Sequence, residues 1–298
     1  MSGAIEGRAP RRPSALSWRR LMAEATEALG DPQEARWILL HAGGLQASEL
    51  LRCLDEAAPP TVPARVRALV ERRRSGEPLQ WVMGAWGFRG LEVAVDGRAL
   101  VPRPETETVV EQALVQLARV GPPPRVVDLG TGSGVIALSI ASECRRAVVL
   151  ATDRSPQALE LAGENLARQP DEVRRRVTLA EGDWFEAVPD ELTGDIAVIV
   201  SNPPYLAADE WGKLEAVVRE YDPYEALVAG ASGLEAISRL VAEAPAWLRP
   251  GGALVVEIAP HQASAALDLM TARGAYGWAE VVADLAGRPR VLVGRSTA

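Results

Sequence analysis

The sequence has little of what builds disulfide frameworks or metal centres: two cysteines and two histidines in 298 residues. Cys53 and Cys144 stand far apart with no Cys-x-x-Cys spacing. We read them as reduced, partly buried thiols of a cytosolic protein. His41 and His261 are isolated, and no Cys/His/Asp cluster has ligand spacing, so no metal is expected. No apolar run reaches the ~18–20 residues that span a bilayer. A charged N-terminal segment followed by an apolar one is also missing, so we expect no secretory signal, a cytoplasmic protein and no membrane partner. Basic excess is missing too. The net charge is −8, which argues against a partner gripped mainly through phosphates. Arg72-Arg73-Arg74 and Arg174-Arg175-Arg176 are local exceptions, and we read each as a solvated helix face or loop.

What is present is enough apolar sequence, 48%, for a sizeable core. Residues 1–13 read as a flexible tail, in which Ile5-Glu6-Gly7-Arg8 resembles a protease-cleavage linker. Residues 14–80 are helical in pattern. Leu16, Leu21, Met22, Ala25 and Leu29 line one face, and Asp31-Pro32 starts a second helix. Ser48-Glu49-Leu50-Leu51 begins a third, and Val62 to Arg74 forms a fourth after the Pro59-Pro60 break. Together they suggest a small all-α bundle. Residues 81–105 read as a β-hairpin linker: Leu91, Val93 and Val95 alternate with polar or small residues and lead to a turn at Asp96-Gly97.

From residue 106 to 298 strands and helices alternate. Strands are expected at Arg125–Leu129, Ala147–Thr152, Val177–Ala180, Ile196–Val200 and Ala253–Ile258. Helices are expected at Val135–Ser142, after Ser155-Pro156, and at Leu234–Leu248. A terminal antiparallel pair, Ala279–Asp284 and Val291–Gly294, flanks Gly287-Arg288-Pro289. This alternation predicts an α/β, Rossmann-like doubly wound sheet, with ligands at the carboxyl ends of its strands.

Gly130-Thr131-Gly132-Ser133-Gly134 follows the first of these strands and opens a helix. Glycines serve where backbone must turn tightly and approach a ligand. The spacing is Gly-x-Gly-x-Gly, and the third glycine comes one residue too early for the dinucleotide fingerprint. Asp153, ending the second strand, can accept both hydroxyls of a ribose. Asp183 and Trp184, at the end of the third, offer an acceptor for an adenine amino group and an aromatic face for its ring. Asp128, Asp153 and Asp183 are all expected at strand ends on one edge. This combination is that of class I methyltransferases using S-adenosylmethionine. A nicotinamide dehydrogenase would need a hydride-transfer acid such as a His or a Tyr-Lys pair, and none is in view.

The fourth strand runs into Asn202-Pro203-Pro204-Tyr205. Two prolines fix the backbone and remove two donors, which leaves the carbonyls of a rigid turn as acceptors. With the Asn202 side-chain carbonyl they can accept both N–H bonds of a planar amine, while Tyr205 packs on its flat face. Accepting those bonds localises density on a nitrogen whose lone pair is otherwise delocalised. Positioning and electrostatics then supply most of the rate, without a strong base.

These residues resemble the PrmC/HemK family, the glutamine N5-methyltransferases of peptide chain release factors. The segments carrying the resemblance are 72–80, Pro102-Arg103-Pro104-Glu105-Thr106-Glu107, the 128–134 loop, Gly182-Asp183-Trp184-Phe185, 201–205 and Asp284-Leu285-Ala286-Gly287-Arg288. The resemblance implies a class I methyltransferase domain behind a helical module that helps dock the partner. It implies methylation of the glutamine in the Gly-Gly-Gln motif of bacterial class I release factors. It further implies that Gly130–Gly134, Asp153 and Trp184 contact the cofactor while Asn202–Tyr205 grip the glutamine amide. We expect a monomer. Two departures stand out: Gly87-Phe88-Arg89-Gly90, where a second aromatic or an acidic residue is expected, and Ala259, where the family usually has glycine. An adenine-N6 methyltransferase of DNA or RNA is the rival reading, because it uses the same Asn-Pro-Pro-Tyr device on a flipped base. A binding module that kept the fold without transfer is a third.

Overall fold

The computed structural model describes residues 16–121 and 123–297. The tail expected over residues 1–13 lies outside them. The chain divides into two compact units between Met83 and Gly84.

The first unit is helical: α1 Trp18–Leu29, α2 Pro32–Gly43, α3 Ala47–Cys53, α4 Val62–Arg74 and α5 Leu79–Met83. Its starts are written in short polar side chains. Ser17 accepts the Arg20 N–H, and Asp31 accepts those of Gln33 and Glu34 ahead of Pro32 in the first turn. The apolar faces close on one core in which Leu21, Ile38, Leu39, Leu50 and Val66 are buried. The arginine triplet ending α4 is spent inside this unit. Arg72 pairs with Glu77, Arg73 with Glu34 at 2.7 Å, and Arg74 with Glu71 at 3.1 Å.

The second unit opens on a hairpin of β1 Ala85–Phe88 and β2 Leu91–Ala94. Its turn is Arg89-Gly90 and not Asp96-Gly97 as expected. Both Arg89 and Gly90 hold left-handed backbone, at φ 44° and 78°, which is what a two-residue hairpin turn of matching twist requires. The Gly-Phe-Arg-Gly departure is therefore a turn sequence. Asp96 instead closes a local loop by accepting the Arg98 N–H at 3.0 Å.

Next comes α6 Thr106–Leu117, which apolar spacing alone did not delimit. There follow β3 Arg125–Leu129, α7 Val135–Glu143, β4 Val148–Asp153, α8 Pro156–Ala167, α9 Asp171–Arg174, β5 Val177–Glu181 and β6 Ile196–Ser201. A connection holding β7 Leu206–Ala207, α10 Ala216–Tyr221, α11 Tyr224–Leu227 and β8 Val228–Gly230 leads to α12 Glu235–Trp247. β9 Leu248–Glu257, α13 Ala263–Thr271, β10 Tyr276–Ala283 and β11 Pro289–Ser296 complete the chain. β9 begins earlier than expected because Pro250-Gly251-Gly252 is an irregularity within the strand rather than a break before it. Its pairing with β6 shifts register there, and a Cβ on Gly252 would stand 2.8 Å from the Ile196 carbonyl oxygen. The second basic triplet makes local contacts of its own, with Arg175 largely exposed. Arg174 and Arg175 pair with Asp171, and Arg176 donates to the carbonyls of Ala141, Cys144 and Ala147.

The seven-stranded sheet runs β5-β4-β3-β6-β9-β11-β10. β5, β4, β3, β6 and β9 pair parallel, while β11 is antiparallel to both neighbours. Every residue of β6 is buried, as befits a central strand covered on both faces. Winding reverses between β3 and β6, so a switch point lies at their carboxyl ends.

Ile38 is fully buried in the helical unit. Ile38→Ala should cost about 2–5 kcal/mol, read as a lowered urea midpoint with an unchanged slope.

Candidate active site

The glycine loop is built from below. Asp128, in β3, is completely buried. Its Oδ2 accepts the Thr131 hydroxyl at 2.6 Å and the Ala137 N–H at 3.1 Å, pinning both ends of the loop. Desolvation pushes its carboxyl up to about 7, against those two bonds. Asp128 therefore does not face a ligand from a strand end, as expected. It is the loop's anchor, because its place within β3 turns the side chain into the interior. Gly134 caps α7 in a left-handed conformation at φ 86°, and a Cβ there would press to 3.3 Å from Ala162.

Asp153, at the end of β4, accepts the Gly132 N–H through Oδ2 and the Ser155 N–H through Oδ1, each at 2.9 Å. Each oxygen keeps a lone pair for another donor. Asp183 stands beyond the end of β5, not at it, and its Oδ2 accepts from Arg239 on α12. Trp184 follows with left-handed backbone at φ 54°, an uncommon state for a bulky residue.

A cavity of about 790 Å³ lies along these carboxyl ends. Gly130, Thr131, Gly132, Ser133, Asp153, Asp183, Trp184, Asn202 and Pro204 line it together with Thr106, Arg103 and Arg239. Of the residues expected at the site, Gly134, Pro203 and Tyr205 are not among its lining. The volume suits a small molecule. Spare carboxylate lone pairs on Asp153, a loop of glycine backbone and the Trp184 side chain fit a nucleoside.

The end of the cavity at Asn202 is set by β6. Its last residue, Ser201, donates its hydroxyl to the Leu129 carbonyl at 2.7 Å, locking β6 to β3. Asn202 then donates its Nδ2 to the Thr106 hydroxyl oxygen at 3.2 Å, and that hydroxyl donates to Glu257 Oε2 at 2.7 Å. Glu257 is 1% exposed, and burial pushes its carboxyl up to about 7, opposed by the Thr106 bond and Arg290. Tyr205 is fixed through its backbone, which donates to Leu227 and accepts from Gln262 at 2.8 Å. Burial pushes its phenol up to about 12, so it stays neutral. Ala259 has φ −72°, which any residue adopts, and its N–H donates to Gln262 Oε1.

Sequence reasoning missed four members of this arrangement. Thr106 and Glu257 sit in segments that were read only as a charged connection and a strand end. Arg239 lies on a helix with no motif. Asn165, on α8, is fully buried and brackets both the N–H and the carbonyl of Ala94 while donating to the Ser133 carbonyl. It thereby fastens the hairpin to the glycine loop.

With this geometry in place, the similarities to known proteins are specific. Residues 111–220 match the methyltransferase small domain, and residues 16–84 match the PrmC N-terminal domain. A release factor glutamine methyltransferase of Xylella fastidiosa (strain 9a5c) is 42% identical over 275 residues, spanning 92% of this chain and 96% of its own. That of Deinococcus radiodurans is 42% identical over 288 residues, spanning 94% and 99%. Among solved structures, the hMettl16 catalytic domain in complex with a MAT2A 3′UTR hairpin aligns over 80% of this chain and 82% of its own. Its TM-score is 0.56 at 13% identity, a likeness of fold alone.

Asp128 yields a pH prediction. Its folded carboxyl holds a proton to about pH 7, well above the unfolded value of 3.8. Its contribution to stability is thus present below the unfolded value and is lost as pH rises through the folded one. Asp128→Asn does not titrate. The melting temperature of the native protein relative to this variant should fall between pH 5 and pH 8, measured by thermal scans in matched buffers.

Proposed function

The chain belongs to the release factor glutamine methyltransferases, and from that premise we propose that it methylates the side-chain amide nitrogen (N5) of the glutamine in the Gly-Gly-Gln motif of bacterial class I release factors. It is an S-adenosylmethionine-dependent methyltransferase with a class I fold. The observation that carries the acceptor reading is the orientation of Asn202: its Nδ2 is engaged by Thr106, which leaves Oδ1 as the acceptor at the cavity wall, and the choice of glutamine over a base rests on the relatives 42% identical over more than nine-tenths of this chain.

In this reading, Asp153 would accept the ribose hydroxyls of the cofactor and Trp184 would offer its ring to the adenine, with Asp183 offering the oxygen that Arg239 leaves free. The loop Gly130-Thr131-Gly132-Ser133-Gly134 approaches with bare backbone. S-adenosylmethionine supplies a sulfonium-bound methyl group already activated for transfer. The chain's own task is to present a nucleophile. Asn202 Oδ1 and the carbonyls of the Pro203-Pro204 turn accept the two amide N–H bonds and aim the nitrogen, while Tyr205 supports the turn as a neutral ring. Methylation makes the nitrogen acidic, so water takes the proton and no side-chain base is required. Residues 14–80 form the docking module for the release factor. The enzyme acts as a monomer in the cytoplasm.

An adenine amine presents the same two N–H bonds, so substrate choice needs a direct assay. Radiolabelled cofactor, incubated with unmodified release factor and in parallel with DNA or RNA, should label the release factor, with the mass increment on its Gly-Gly-Gln peptide. Label in nucleic acid alone would overturn the assignment. Asn202→Ala should lower turnover by about a hundredfold or more while leaving cofactor affinity within about twofold, because it acts on the acceptor. Equal losses in both would remove it from that role.

A further inference from the structure

Glu257 is a buried acid that the chemistry above does not use. It ends β9 beside the acceptor turn, nearly inaccessible, and its Oε2 accepts a short bond from Thr106, itself 2% exposed. A hydroxyl has one proton. With that proton given to Glu257, Thr106 Oγ1 meets its other neighbour only as an acceptor. Asn202 must then present Nδ2 to it, as observed at 3.2 Å, and Oδ1 is turned the other way.

We infer that Glu257 and Thr106 are positioning residues for methyl transfer: the directed chain Asn202 Nδ2–H to Thr106 Oγ1–H to Glu257 fixes which end of the Asn202 amide meets the substrate nitrogen. This deepens the acceptor role proposed for Asn202 and rests on it. Without the chain, an asparagine amide can flip and offer N–H groups to a substrate NH2, a repulsive arrangement that cannot aim the lone pair. The direction of the chain depends on an acceptor-only carboxylate. A protonated Glu257 can donate to Thr106, which releases the Thr106 proton toward Asn202 and permits the flipped amide. The other charged or titratable groups facing Glu257 are Arg290 on β11, Arg103 and Glu105 ahead of α6, and Tyr205 after β6. Arg290 and Arg103 favour its ionised form, while Glu105 opposes it.

The test uses the full-length enzyme with S-adenosylmethionine and unmodified release factor, reading kcat, KM and, by calorimetry, cofactor affinity. Thr106→Val keeps the shape and removes the relay. It should lower kcat about tenfold with cofactor affinity within about twofold. Thr106→Ser should restore most of the loss. In an Asn202→Ala background Thr106→Val should add little, since the two act as one unit. Glu257→Gln retains an acceptor oxygen that does not titrate. The native kcat should therefore decline as pH falls below about 7, while the Glu257→Gln profile stays level there. Native kcat in a folded Thr106→Val, a Thr106→Ser no better than valine, fully multiplicative losses in the double variant, or an acid limb that survives Glu257→Gln would each overturn the inference. Native turnover in Asn202→Ala would instead overturn the acceptor reading beneath it, so the two failures are distinguishable.

Discussion

The Asp128 carboxyl group, sealed inside the sheet and bonded to Thr131 and Ala137, is the fixed point of the glycine-loop half of the cavity. A glycine loop gains closeness to a ligand and loses rigidity in the same step, since glycine gives up more conformational freedom on ordering than any other residue. The orphan N–H groups at the start of α7 must also be satisfied. Asp128 answers both needs from beneath, and Asp153 answers again from the neighbouring strand by taking the Gly132 N–H. Asn165 closes the third side through the Ser133 carbonyl. The parallel register that sets Asp128 opposite Ala151 makes this bracket possible, because it brings the β4 terminus level with the loop.

The half of the cavity at Asn202 has its own hub, the segment Arg103 to Thr106. Arg103 pairs with Asp222 at 2.7 Å, tying down the connection between β6 and α12. Glu105 pairs with Arg288 in the turn between β10 and β11 at 3.0 Å. Thr106 reaches Glu257 on β9 and Asn202 after β6. One short stretch thus contacts four regions distant in sequence. Two of these ties are ion pairs with at least one largely buried partner or a turn already braced by Asp284, which accepts the N–H groups of Ala286 and Arg288. Their worth lies less in stability than in fixing positions.

Much of the fold was legible because its signals are local. Asp31 and Ser155 announce helix starts through side chains that bond within three residues. The apolar run of β6 needs no tertiary context to read as a central strand. What misled was equally physical. Asp96-Gly97 has hairpin composition, yet the flanking residues that pair are those around Arg89-Gly90, and pairing is a non-local fact. Gly251-Gly252 has break composition, yet β6 tolerates it as a register shift. At the site, Gly130–Ser133, Asp153, Asp183, Trp184 and Asn202 were legible because backbone chemistry restricts what can stand at a loop over a strand end. Glu257, Arg239 and Asn165 were not. Each matters through partners 32 to 151 positions away, and no spacing rule reaches that far.

Charge bears on the choice between an amide and a base. An enzyme gripping a phosphate backbone needs cations free of other commitments, and each neutralised phosphate steepens the salt dependence of binding. Here Arg73 is held by the half-buried Glu34 and Arg176 by three carbonyls, while Arg74, Arg174 and Arg175 stand in exposed local pairs. The chain as a whole carries −8. A protein acceptor makes no comparable electrostatic demand, since its docking surface can be won by shape and apolar burial. The Asn-Pro-Pro-Tyr turn is indifferent to this distinction, because an amide and an exocyclic amine present it with the same two N–H bonds. Selection between the two must therefore be exercised away from the reacting nitrogen.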